Sequence, residues 1–123
     1  PPEQRRLMVP IDGGHPGWVY AHRRPLLLED TDAHGTFRQY LKTSRMGSTI
    51  FAPITWRGEF HGQLIMAAQA RRTMRAVDLA VLVAASRIAA GCWIAGGGPD
   101  WLAANADPPD AFRVDREGIG AAR

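Results

Sequence analysis

The stretch STIFAPITWRGEFHGQLIMAA, residues 48–68, decides how the rest of the chain is read. Ile50, Ala52, Ile54 and Trp56 alternate along its first half, and Phe60, Gly62, Leu64 and Met66 along its second, the period-two signature of strands with one buried face. Arg57-Gly58 supplies a tight turn between them. Pro53 has no N–H to give to a ladder, so it belongs where its backbone need not donate, and Gly62 marks a close backbone approach or a bulge. The stretch predicts a hairpin at the border of a sheet.

Upstream, Leu7-Met8-Val9 is a short apolar run between prolines and predicts a strand entering that sheet. Turn formers fill Asp12 to Gly17 and hand over to Trp18-Val19-Tyr20, aromatic and β-branched, which reads as a short strand. Leu26-Leu27-Leu28 reads as another, closed by Glu29-Asp30. From Thr31 to Gly47 the chain is polar, with a helical turn or two over Thr36 to Lys42, where Phe37, Tyr40 and Leu41 share a face. A segment of that length is more than a connection.

Downstream, Thr73 is placed to cap a helix over about Met74 to Ala95, with Asp78 near the positive end of its dipole. Val77, Val81, Ala84, Ala85, Ile88 and Cys92 form one apolar stripe, while Leu82, Val83, Ala89 and Trp93 carry the apolar surface most of the way round. Such a helix needs cover on more than one side. One face is expected on the sheet and the other on a partner, with Ala85, Ile88, Gly91 and Cys92 as the candidate dimer interface. Gly96-Gly97-Gly98-Pro99 stops the helix, and residues 96–123 read as an extended tail or linker after a domain over residues 1–95.

Composition narrows the class. A chain of 123 residues makes one domain with a core that needs no staples. Its single cysteine, Cys92, excludes an internal disulfide framework and makes a reducing cytoplasm the expectation. The net charge is +3, but Lys42 is the sole lysine and the arginines are scattered, a skew that fits GC-rich bacterial coding and not a nucleic-acid footprint. The chain starts at Pro1 without a methionine, which predicts a processed or trimmed start. Leu79 to Ala95 falls short of the roughly 20 apolar residues of a membrane span. It also carries Arg87, which would cost about 2.5 kcal/mol or more in a bilayer. No membrane association is expected.

In this order the pieces resemble the GAF domain family over roughly Gly17 to Ile94. The residues that carry the likeness are Gly17-Trp18-Val19-Tyr20, then Arg24-Pro25-Leu26-Leu27-Leu28-Glu29-Asp30. Ser48, Ile50, Pro53-Ile54, Gly58 and Gly62 of the hairpin follow, and Met74 to Leu79 opens the closing helix. The resemblance implies an α/β (α+β) sandwich, with an antiparallel sheet of four or five strands, the closing helix on one face and the long loop on the other. It implies a member truncated or divergent at its start, lacking its opening helix and strand. Functionally it implies a regulatory or sensory module that binds a small molecule under the loop Thr31 to Gly47 and dimerises. The alternative is a structural or interaction subunit of a larger complex that keeps the fold without a ligand. The charged signature of the cyclic-nucleotide binders is not apparent, and no cysteine lies where bilin-binding relatives attach their chromophore. Relatives that reduce free methionine sulfoxide need several cysteines for a thiol relay, which Cys92 alone does not provide. No cofactor can be named.

Individual residues add detail. Phe37, Tyr40, Arg45 and Phe51 would suit an apolar ligand bearing an acid group, although Phe37 and Tyr40 also fit a role in pinning the loop. His61 is a candidate haem ligand, pH sensor or pocket residue, or a histidine on the solvated face of a strand. Asp30, Asp32 and His34 lie close enough in sequence to hold a divalent metal, but a turn after a strand explains them as well, and the turn is preferred. Arg71, Arg72 and Arg75 form the densest basic cluster, at a helix start where cations invite an anionic neighbour. No nucleophile, base and orienting group can be assembled, and the glycines at 96–98 end a helix where a phosphate cradle would open one. The sequence therefore reads as non-enzymatic.

Overall fold

The computed structural model describes residues 11, 13–33 and 46–106. Among these the order is α1 (Gly14–His22), β1 (Leu26–Leu28), a 3-10 turn (Thr31–Ala33), β2 (Ser48–Trp56), β3 (Glu59–Ala68), α2 (Ala76–Ala95) and α3 (Gly98–Asn105). The strands form one antiparallel sheet in the order β1-β2-β3. Helix α2 lies on one face and α1 on the other, so the mixed helix and antiparallel-sheet class expected from the sequence is the one observed.

The hairpin forms as its pattern requires. Ile50 and Ala52 are fully buried under α2 against Leu82, with Leu27, Leu64, Leu79 and Val83 around them. Arg57 and Gly58 both take positive φ, 49° and 82°, the combination a two-residue type I′ turn needs to match the strand twist. One side chain departs from the simple alternation. Ile54 pairs with Gly62 but Thr55 pairs with Phe60, so His61 is the extra residue of a bulge. Gly62 sits there at φ 154°, a conformation side chains resist. The bulge turns Phe60 to the α1 face, where its ring meets Tyr20 edge-on at 5.1 Å.

Three expectations change. Trp18-Val19-Tyr20 is helical, not a strand: a three-residue run is too short to fix a period, and the i, i+4 pairs around it decide. His15 and Val19 are buried together, and the Trp18 and His22 rings stack at 4.2 Å. Arg23, in the left-handed region, ends α1 by donating its backbone N–H to Val19 O at 2.8 Å. The sheet consequently has three strands among the described residues, and Leu7 to Val9 lie outside them.

Helix α2 begins at Ala76 rather than Met74. Thr73 turns its hydroxyl back to Ala70 O at 3.1 Å, and the capping bond runs instead from Arg75 N–H to Asp78 Oδ2 at 2.8 Å. Beyond Gly97, residues 98–105 are helical where composition predicts extended chain, because Gly97 at φ 71° and Pro99 in the first turn start a new helix.

The junction between β2 and α2 is tight. The Ser48 hydroxyl, fully buried, donates to Ala70 O at 3.0 Å and accepts from Met74 N–H at 3.1 Å. Beside it Gly47 N–H donates to Ala68 O at 2.8 Å, and a Cβ on Gly47 would stand 2.1 Å from Gln69 O and 2.6 Å from the carbonyl carbon of Ala70. Backbone on backbone cannot yield as a side chain can. Gly47→Ala is expected to lower stability by about 1–3 kcal/mol, read as a lower urea midpoint with unchanged slope.

Candidate functional site

The face of the sheet bearing α1 carries a wall built by alternation. Leu26, Leu28, Thr49 and Phe51 point there because β1 and β2 pair Leu26 with Phe51 and Leu28 with Thr49. Val19 of α1 closes on Leu28 and Phe51 to form one core cluster, with Trp18 and Leu26 at its edge. The His15 ring lies 6.1 Å from that of Phe51. Gln63, from β3, donates its amide nitrogen to Pro16 O at 3.4 Å and so holds the start of α1 to the sheet.

Beside this wall, Thr31 and Gly47 are held together in a closed neck. Thr31 N–H donates to Gly47 O at 2.9 Å, and the buried Thr31 and Thr49 hydroxyls lie 3.1 Å apart. Arg72 N–H donates to Glu29 O at 2.6 Å, and Arg71 Nε is 3.5 Å from Asp30 Oδ1. The basic cluster expected to seek an anion thus spends Arg71 on the neck. Asp30 is in turn committed there. Among the described residues no group of three metal-ligating side chains occurs, and His34 lies outside them.

Of the pocket candidates, Phe37, Tyr40 and Arg45 lie outside the described residues. Phe51 is buried in the wall itself. His61 is on the other side: with Ile54, Gly62, Ala89, Trp93 and Leu102 it lines a cleft of about 280 Å3 beside α2 and α3. The structure therefore does not bring Phe51 and His61 together. The bulge is the reason, since it takes His61 out of the alternation that would have set it on the α1 face with Gln63. Sequence reading missed His15, Thr31, Thr49 and Gln63 on the α1 face. Thr49 and Gln63 had a signal in the period-two pattern, while His15 required α1 to be seen as a helix.

The candidate interface residues lie on α2. Ala85, Ile88 and Cys92 are exposed and Gly91 is half-buried with nothing within 4 Å of where its Cβ would be. The sheet-facing line is Leu82, Ser86 and Ala90, where Ser86 returns its hydroxyl to Val83 O at 2.8 Å. Val77, Val81 and Ile88 are 67–69% exposed, an apolar stripe nothing in the chain covers among the described residues. The helix is long and apolar enough to cross a membrane by length and composition.

Two helix layers about an antiparallel sheet, with residues 31 and 47 joined in a neck, define a small mixed α and β fold, and a family comparison names it. The GAF domain model matches residues 1–93, and the chain belongs to that family. It is similar to the GAF domain of a phosphoenolpyruvate-protein phosphotransferase from Coxiella burnetii, at 19% identity and a TM-score of 0.65 over 80% of this chain and 62% of that one. A second such domain, from Acinetobacter, aligns at 17% identity and a TM-score of 0.65, covering 73% of this chain and 54% of the other. The type II free methionine-R-sulfoxide reductase of Thermoplasma acidophilum aligns at 14% identity and a TM-score of 0.60, covering 68% and 57%. The chain thus spans little more than half the length of each. No curated protein matches it.

The last of these corrects the sequence reading. The expectation of a non-enzymatic domain does not stand, because the structures this fold resembles include an enzyme. The fold is compatible with catalysis as well as with sensing.

The neck offers a direct measurement. Thr49→Val keeps the shape of the side chain but leaves the buried Thr31 hydroxyl without its partner, so the protein should lose about 1–3 kcal/mol in equilibrium unfolding. Thr31→Val in the same background should add little, since both halves of the bond are then gone.

Proposed function

We propose that this chain is a regulatory or sensory domain that binds a small molecule between the α1 face of its sheet and the segment Thr31 to Gly47, and that it pairs through the outer stripe of α2. The closed neck carries the reading: Thr31, Gly47 and Thr49 hold the two ends of a 17-residue segment together over a wall of Phe51, Leu28 and Val19. A long segment anchored at both ends over a sheet is how loops come to cover ligands. By sequence, Phe37, Tyr40 and Arg45 belong to that segment, two aromatic rings and one cation of the kind an apolar acid ligand requires. GAF domains typically serve regulatory and small-molecule sensing roles, which supports the same reading.

Pairing rests on a separate observation. Val77, Val81 and Ile88 expose an apolar line on a helix whose opposite line, Leu82, Ser86 and Ala90, already meets the sheet. Packing of that inner line also supports α2 as a helix of the domain and not a bilayer span; the single cysteine and the scattered arginines support a cytoplasmic protein without nucleic-acid partners. The same stripe favours a second reading, in which the domain is kept as an interaction subunit of a larger complex.

Native mass spectrometry of freshly purified protein, followed by a thermal-shift screen of metabolites, should reveal a bound or stabilising small molecule. A ligand at about 100 times its Kd would add roughly 2.7 kcal/mol. A screen with no stabilising compound and no retained mass would leave the interaction reading in its place. For the pairing, Ala85→Glu or Gly91→Glu should shift the protein to monomer in light scattering; an unchanged oligomer removes α2 as the interface.

A further inference from the structure

The cleft beside α2 and α3 is not the site proposed above; it lies on the opposite face of the sheet, and its reading is independent of that proposal. Three residues bordering it, His61, Gln63 and Trp93, each hold a buried polar atom with no hydrogen-bond partner, Nε2, Oε1 and Nε1 respectively, and the Glu59 carboxylate stays 3.8 Å from His61 Nε2. Gln63 directs its amide nitrogen to Pro16 on the α1 face, which leaves His61 and Trp93 as the polar pair of the α2 side. Orphaned buried nitrogens are rare in folded proteins and ask for an explanation. An indole N–H can only donate, so whatever satisfies Trp93 must bring an acceptor.

We propose that this cleft binds a small carboxylic acid with an apolar body, its oxygens accepting from Trp93 Nε1–H and His61 Nε2–H. A carboxylate offers two acceptor oxygens to two separate donors; the nearest acid, Glu59, stands 3.8 Å from His61 Nε2, beyond hydrogen-bond reach, and its 81% exposed side chain is screened by solvent. Ile54, Ala89 and Leu102 give the body an apolar bed. A volume of about 280 Å3 corresponds to roughly nine waters at ~30 Å3 each, room for a ligand on the order of ten non-hydrogen atoms.

Helix α3 controls access. Both nitrogens are covered, and the covering element is lightly held: Leu102 is 47% exposed and Trp101 61%. At its start Gly98 lies flat on the indole, where a Cβ would come within 2.2 Å of the Trp93 ring. Gly96 and Gly97 just before it give the chain the freedom to swing α3 aside, with Leu102 as the moving wall. The acid then replaces a dry contact with two charge-assisted hydrogen bonds.

The test uses benzoate as probe on the whole chain labelled with 15N at tryptophan, with the Trp93 indole resonance assigned through Trp93→Phe. Benzoate should shift the Trp93 indole N–H saturably, while benzyl alcohol, of the same shape without the carboxylate, should not. Leu102→Trp fills the cleft from an exposed position; it should weaken benzoate at least tenfold with an unchanged melting temperature. His61→Phe should weaken it similarly, and His61→Gln, which keeps a donor, should retain binding within a few-fold. Absence of any saturable shift up to about 20 mM benzoate, a ceiling near 2.3 kcal/mol of binding, overturns the proposal. So does an equal response to benzyl alcohol, or a shift confined to Trp18 on the α1 face.

Discussion

Everything in this fold is referred to the hydroxyl of Ser48. It sits at the first residue of β2, fully buried, and is the point at which the chain leaving β3 is caught before it becomes α2. By donating to Ala70 and accepting from Met74 it fixes both the exit direction of the hairpin and the height at which α2 starts along the sheet. Gly47, one residue earlier, makes the approach possible because its missing Cβ lets the two backbones touch. The long segment returns to the sheet at that same residue, so the mouth of one face and the helix of the other share an anchor. Strand alternation then distributes the rest: odd-numbered residues of β2 go to the α1 face, even-numbered ones to α2.

The hairpin was readable because its signals are local. Alternation assigns Ile50, Ala52 and Ile54 to one face and Arg57-Gly58 to the turn, and neither depends on the rest of the chain. Gly62 announced an irregularity, but one glycine does not say which neighbour becomes the extra residue; the pairing of Thr55 with Phe60 decides that, and it is a property of two strands together. Helix α1 was misread for a related reason. Trp18, Val19 and Tyr20 have strand propensity, yet His15, Val19 and the Trp18–His22 stack turn the segment into a helix once a sheet lies beneath it. Helix α3 was hidden by glycines that look like a terminator and serve also as a start.

For the candidate site the division is similar. Phe51 belongs to the wall by parity alone, and the ends of the segment between β1 and β2, Thr31 and Gly47, follow from where the strands stop. The partners that make the neck, Thr49, Glu29 and Arg72, are set by contacts across 18 to 43 residues of chain, which no local pattern encodes. His61 fell on the far side because the bulge shifts it by one position. That single displacement turned one imagined pocket into two faces with different chemistry.

The joint at Gly96 and Gly97 bears on how this domain can exert force. A continuous helix is a torsionally stiff rod, so a turn of α2 about its axis would reach its far end undiminished. Here the rod is cut: Gly97 takes φ 71° and α3 folds back onto the Trp93 indole. A rotation of α2 would be absorbed at that bend, and what could pass beyond it is the position of α3 rather than an angle.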